Sequence, residues 1–258
     1  GAGNENIAGG AVTLVAATGI GAAAAADDID TAATSITATT VTGGIYLTET
    51  DGVDLAGLST TTSGDIIVVA GDAITTSGNT TTATNGKVDI SNTVGAVTIS
   101  NLVTADGSGT VDINAAALLA VNAAVSSTTG TLTLTGGTGA TFDLNGDLTT
   151  DAIITVNATA NDITMSDGTV FNATAGAIDL NAATDVQLGQ VTTSNTVNVD
   201  ATAGAITDIT VLEGAGNENI AGGAVTLVAA TGIGAAAAAD IDTTIGTLTA
   251  TNSTSGDI

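Results

Sequence analysis

The sequence predicts an all-β chain wound as a right-handed parallel β-helix (a β-solenoid), with about 22 residues and three short strands per coil. Three observations carry that prediction. Apolar residues recur in three interleaved series with a shared period, the residue between each inward pair is polar, and the 258 residues contain no proline. Residues one period apart that keep the same inward role suit a coil whose strands each pair with a counterpart in the next coil.

The first series opens its strands at Ile45, Ile67, Val88, Val111, Leu132, Ile154, Ile178 and Val197, a mean step of about 21.7 residues. The second opens at Val97, Leu119, Phe142, Ile163, Val186 and Ile206, with a mean step of about 21.8. The third is a fainter row of single residues, Val103, Val125, Leu148, Val170 and Val191. Between inward pairs such as Val88/Ile90, Val111/Ile113, Phe142/Leu144, Ile178/Leu180 and Val197/Val199 stand Asp89, Asp112, Asp143, Asp179 and Asn198. Alternation of this kind turns those polar residues to solvent.

Asparagine follows the inward pairs at Asn114, Asn122, Asn145, Asn157, Asn172 and Asn181. Asparagine tolerates left-handed corners, and its amides can stack from coil to coil, so a ladder of amides is expected there. Gly86, Gly95, Gly130 and Gly176 precede strands and supply permissive corners. The absence of proline fits strands that have neighbours on both sides, where each backbone N–H is needed. Right-handedness follows from the strong preference of parallel crossovers and from the lack of a strict hexapeptide period.

A second repeat is laid over the first. Residues 1–27, from Gly1 to Asp27, recur letter for letter at residues 214–240, an offset of 213. Asp28 is then skipped, Ile29-Asp30-Thr31 matches Ile241-Asp242-Thr243, and residues 254–258 match residues 62–66. The chain therefore reads as one continuous solenoid segment, 1–258, cut from a longer protein. That parent is expected to precede Gly1 with something like residues 206–213 and to continue past Ile258 with a strand like Ile67-Val68-Val69. The duplicated block fits the 22-residue period badly, and Ala22–Ala26 are open to either a short helix or a tightly packed flat layer. At about 4.8 Å per coil, about 12 coils make a rod about 57 Å long.

Composition narrows the function. Aromatics are 1%, charged residues 10%, histidine, cysteine and tryptophan are absent, and one cation stands against 26 acids for a net charge of −25. Hydrophobic residues at 43%, rich in Val, Ile, Leu and Thr, are enough to build a core and argue against disorder. Such a surface repels nucleic acid and anionic lipid, and it attracts divalent cations or basic partners. No run approaches the roughly 18 apolar residues of a membrane span, so membrane insertion is not expected. Residues 1–4 carry no export signal; an exported protein would hold it upstream.

In runs such as GAVTLVAATGIGA (residues 10–22), GTVDINA (109–115), GAIDLNAATDVQL (176–188) and NTVNVDATAGAITD (195–208), the sequence resembles filamentous-haemagglutinin-like and related β-strand-repeat surface proteins. The resemblance is one of style and covers most of the chain. It implies a right-handed parallel β-helix that is secreted, displayed at a bacterial cell surface and used as a stalk or adhesive fibre. It carries over no functional residue, and the near-perfect duplication departs from the more diverged repeats of that family.

No catalytic, cofactor-binding or metal-ligating residue is therefore assigned, and the chain is read as a non-enzyme. Lyase-type chemistry needs Arg or Lys to neutralise substrate carboxylates, and only Lys87 is available. Sugar subsites need aromatic platforms, and only Tyr46, Phe142 and Phe171 exist, two of them at positions expected to face inward. Residues 106–112 (Asp106 to Asp112) and 143–147 (Asp143 to Asp147) alternate oxygen ligands like the opening of a calcium loop, but lack the bidentate Glu at the twelfth position. Weak, diffuse calcium screening of the acidic surface is expected instead. Rows of Thr at residues 60–62 and 80–82 would suit an ice-binding face only if the outward positions were regular, whereas they vary among Asp, Thr, Asn and Gln.

The leading function is a stalk or fibre segment of a repetitive extracellular adhesin, partnered by itself or by neighbouring repeats. Host or surface glycans and proteins would be met through regions outside the segment. The alternative is a self-assembling filament, sheath or surface-layer subunit.

Overall fold

The computed structural model describes residues 5–23, 27–209, 216–234 and 240–258. Across them every strand pairing is parallel and no helix occurs. The chain winds as a right-handed parallel β-helix of about eleven turns with roughly 22-residue spacing, as predicted. At about 4.8 Å per turn the rod is about 53 Å long.

Each regular coil has three faces. The first carries five-residue strands such as Ile45–Glu49, Ile66–Ala70, Val88–Asn92 and Val111–Ala115, whose first, third and fifth side chains are buried. Three-residue strands such as Ile74–Thr76 and Val97–Ile99 make the second face, and Thr80–Thr82 and Val103–Ala105 belong to the third. Near the amino end Val53–Thr60 joins the second and third faces and Ile29–Thr40 runs through all three, with a register shift between Ile36 and Thr37 opposite Leu55 and Gly57.

The observed ladders correct the expected register in places. On the first face Ile45 pairs with Ile66, and Ile66 with Val88, so Ile67 points outward. On the second, Leu119 pairs with Ala140, and Phe142 lies one inward step further on, opposite Val121 and Met165. On the third, Leu148 pairs with Phe171, not Val170. Leu144, expected to face inward, is 59% exposed in a turn. These slips share one cause: the step between first-face strands varies, being 24 residues from Ile154 to Ile178 but 19 from Ile178 to Val197 and 28 from Val197 to Val225, so a mean period misplaces individual residues.

Two internal columns shape the corners. At the end of the first face, Glu49, Ala70, Asn92, Ala115, Gly136, Ala158, Ala182, Ala201 and Ala229 stand in one inward row, because only small side chains fit where the chain bends. Asn92 fills its place by donating to the carbonyls of Asp72 and Val94 and accepting from Ala116 N–H. At the end of the third face, Thr40, Thr60, Thr82, Ser127, Thr150 and Thr193 turn their hydroxyls inward and donate to the carbonyls of Gly43, Gly64, Gly86, Gly109, Gly130 and Gly176 at 2.5–3.1 Å. These glycines are required by close approach. A Cβ on Gly86, Gly109 or Gly130 would lie 2.1, 2.0 or 1.9 Å from the carbonyl oxygen of the glycine one coil before.

None of the six asparagines expected at corners takes the left-handed conformation. Among the described non-glycine residues only Thr84 and Asn85 have positive φ. The expected amide ladder is confined to Thr135, Asn157 and Asn181, where Asn181 donates to Asn157 Oδ1 at 3.0 Å and Asn157 to Thr135 Oγ1 at 3.4 Å. Of the alanine run, residues 24–26 lie outside the described residues; Ala22 is in neither helix nor strand, and its N–H bonds Asp27 O.

Candidate functional site

The side chains with chemistry were traced to their places. Lys87 precedes the strand Val88–Asn92, and its Nζ lies 3.1 Å from Asp89 Oδ2. Asp112 stands opposite Asp89 on the next strand, and Lys87 N–H bonds Asp65 Oδ1 at 2.9 Å. Partial burial raises the Asp112 pKa above the usual carboxylate range, repulsion from Asp89 adds to the rise, and Lys87 offsets part of it. Burial also raises Tyr46, with Asp65 adding to it. The one lysine is thus paired with a neighbouring acid.

The calcium-like stretches come apart in the fold. Asp106 Oδ1 accepts the N–H of Gly107 at 2.8 Å, Asp143 Oδ1 that of Asn145 at 2.8 Å, and Asp147 Oδ1 that of Val170 at 2.7 Å. Asp112 projects from a strand on another face. Their oxygens cap turns and bridge coils where a calcium loop would aim them at one point. Among the described residues no group of three or more Asp or Glu is arranged to hold a metal ion.

Phe142 and Phe171 are fully buried and meet edge to face, ring centroids 4.7 Å apart at 76°. Neither offers a platform to a sugar. Tyr46 stands half-buried on the first face.

Three features were not read from the sequence. Glu49 is a buried carboxylate, 1% exposed, in the row otherwise held by Ala, Gly and Asn. It accepts Thr31 Oγ1–H at 2.6 Å and Ala33 N–H at 3.0 and 3.1 Å. Burial raises its pKa, those donors oppose the rise, and Asp51 adds to it. The Ala33 N–H falls between the ladders to the first face (ending at Thr31) and to the second (starting at Ser35), so the carboxylate replaces a missing backbone acceptor. Its signal was the lone Glu in an alanine column.

The second feature is a sorting of outward residues by face. The third face carries Thr39, Ser59, Thr81, Thr104, Ser126 and Thr149 in consecutive coils, with Thr39 to Ser59 3.2 Å and Thr104 to Ser126 3.0 Å between hydroxyl oxygens. The first face carries outward acids at Asp89, Asp112, Asp179 and Asp200, with Thr133 and Thr155 between Asp112 and Asp179. Thr60, Thr80 and Thr82 face inward, so each short face bears a single outward row.

Third is an opening of about 710 Å3 at the carboxyl end. It is lined by buried Leu227 and Ile233, by the more exposed Ile241, Leu248 and Ala250, and by Thr231, Thr243, Asp240 and Asp257. A smaller cleft of about 240 Å3 lies beside Glu5, Asp30 and Glu49.

No protein-family model, curated protein or solved structure matches the chain. Among the described residues no helix is long and apolar enough to cross a membrane.

Proposed function

We propose that the chain is a structural, non-catalytic stalk or fibre segment of a secreted, repetitive bacterial cell-surface adhesin. The observation that carries this reading is that polar chemistry along the rod is consumed by the rod itself. Hydroxyls bond corner carbonyls, carboxylates cap turns, the two phenylalanines fill the core, and the single lysine pairs with a neighbouring acid. A chain that spends its functional groups on continuity is built to hold a shape.

Its acidic exterior keeps neighbouring rods, nucleic acid and anionic membranes apart and gathers divalent cations diffusely. Antibodies raised against the purified chain are expected to label intact cells of the source organism. Labelling only after permeabilisation would overturn the surface assignment. Turnover of an acidic or neutral polysaccharide by the chain would overturn the non-catalytic one.

A further inference from the structure

The two copies of the duplicated block have the same sequence and pair alike with the strand ahead, although residues 11–16 span the second and third faces where residues 224–229 stay on the first. The strands Ile7–Ala16 and Ile220–Ala229 are the same ten residues, and each pairs with the strand one coil on in nearly the same register: Ile7 with Thr31, Ile220 with Thr243. In both, an asparagine side chain accepts the N–H of the aspartate ahead: Asn6 from Asp30 at 2.9 Å, Asn219 from Asp242 at 3.0 Å.

Their seats on the rod differ. From Ile20, the first-face register runs through Ile45, Ile66, Val88, Val111, Leu132, Ile154, Ile178 and Val197 to Val225, which is nine turns. Ile233, the copy of Ile20, is not on that face; it pairs with Ile206 on the second. Leu14 pairs with Ala38, in line with Leu58 on the third face, whereas its copy Leu227 pairs with Val199 on the first. Glycine pairs bend both strands. Gly9-Gly10 lie where the chain passes from first to second face, and Gly222-Gly223 where it passes from third to first.

We infer that the block is a turning joint: its second copy lies nine turns and one face on at Leu227 and Ile233, and nine turns and two faces on at Ile220 and Val225, so a recurrence does not return the side surface to the face it left. The outward acids of the first face and the hydroxyl row of the third would then leave their face at each recurrence. No lateral face stays continuous beyond one super-repeat. For a second copy of this chain, such a rod gives no flat side on which a sheet could grow. This weighs against the sheath or surface-layer alternative and for contacts along the axis. The consequence for assembly rests on reading the chain as a scaffold; the turn itself does not.

Cysteine pairs test the turn, because the natural chain has none. Adjacent strands about 4.8 Å apart fall within the roughly 4.4–6.8 Å Cα separation that a disulfide spans. The pair Asn198→Cys with Thr226→Cys should close on the first face, and Thr39→Cys with Ser59→Cys on the third, both in near-complete yield by mass spectrometry. Linkage of Thr226→Cys to Thr207→Cys would place the second copy on another face and overturn the inference. Electron microscopy of the unmodified chain in millimolar calcium separately tests the assembly consequence. Isolated or end-joined rods are expected, and ordered flat arrays would refute the absence of a lateral face even if the cross-links form as stated.

Discussion

Residues 7–16 and 220–229 share every letter and differ in almost every measure of burial. Val225 and Leu227 are each 2% exposed and Ile220 is fully buried, whereas Ile7, Val12 and Leu14 are only partly covered and Val15 is 78% exposed. The difference lies in the neighbours. The second copy is sandwiched between Thr196–Ala201 and Thr243–Asn252, while the first has a partner on one side only. In a solenoid each coil's environment is the coil before and the coil after, so sequence alone sets which residues can face inward, and stacking decides how much that is worth.

The largest expected effect sharpens this contrast. Leu227→Asp should cost several kcal/mol, because it buries a carboxylate without a partner, while the same change at its copy, Leu14→Asp, should cost about 1 kcal/mol or less at the one-sided strand. Chemical denaturation, with hydrogen exchange to locate the loss, measures both; equal costs would break the comparison. The interior change Ile90→Asp should match Leu227→Asp.

Next come the glycines of the block. A Cβ on Gly223 would stand 3.0 Å from two backbone oxygens, of Asn195 and Ser194, whereas one on its copy Gly10 meets nothing nearer than Thr34 Oγ1 at 3.9 Å. Gly223→Ala should therefore cost about 1–2 kcal/mol through crowding. Gly10→Ala should be neutral or stabilise by up to about 1 kcal/mol by restricting the unfolded chain. Thermal melts of the two single variants decide it.

The repeating strands, their parallel stacking and the outward acids were legible because a period of three apolar series survives averaging. The exact partners of Ile67, Phe142 and Val170 were not, since the coil length varies and strand alternation tolerates no error of one. The corner columns were hidden for another reason: an inward Thr and an outward Thr look alike in a sequence, and only the carbonyl of a corner glycine tells them apart. Thr82→Val, which keeps the shape and removes the buried donor, should cost about 1 kcal/mol. Thr81→Val beside it should change little, and similar losses in urea titrations would mean that the hydroxyl is not what holds the corner.

A smaller effect concerns pH. Glu49 and Asp112 both have folded-state pKa values raised mainly by burial, so the folded chain binds these protons more readily than the unfolded one. Stability linked to them is fully present below their unfolded values of about 4.3 and 3.9 and is lost as pH rises through the folded values. The melting temperature should climb as pH falls through the folded values toward the unfolded ones, and Glu49→Gln should flatten part of that climb. An unchanged pH profile in the variant would show that the buried carboxyl is not involved. Asp179→Asn, at a solvent-facing position, should stay within about 0.5 kcal/mol of wild type.

The ladders that join one coil to the next also set how the rod would respond to tension. Their hydrogen bonds run along the long axis, so a pull on the two ends opens them one after another from an end, as a zip opens, without shearing many at once. Each coil released exchanges about 4.8 Å of rod for about 75 Å of extended chain, from 22 residues at about 3.4 Å each. Neither a disulfide nor a proline interrupts that run. A sudden load would therefore be met by slack that is fed out in small steps and rewound when the load falls, and the reserve grows with the number of coils.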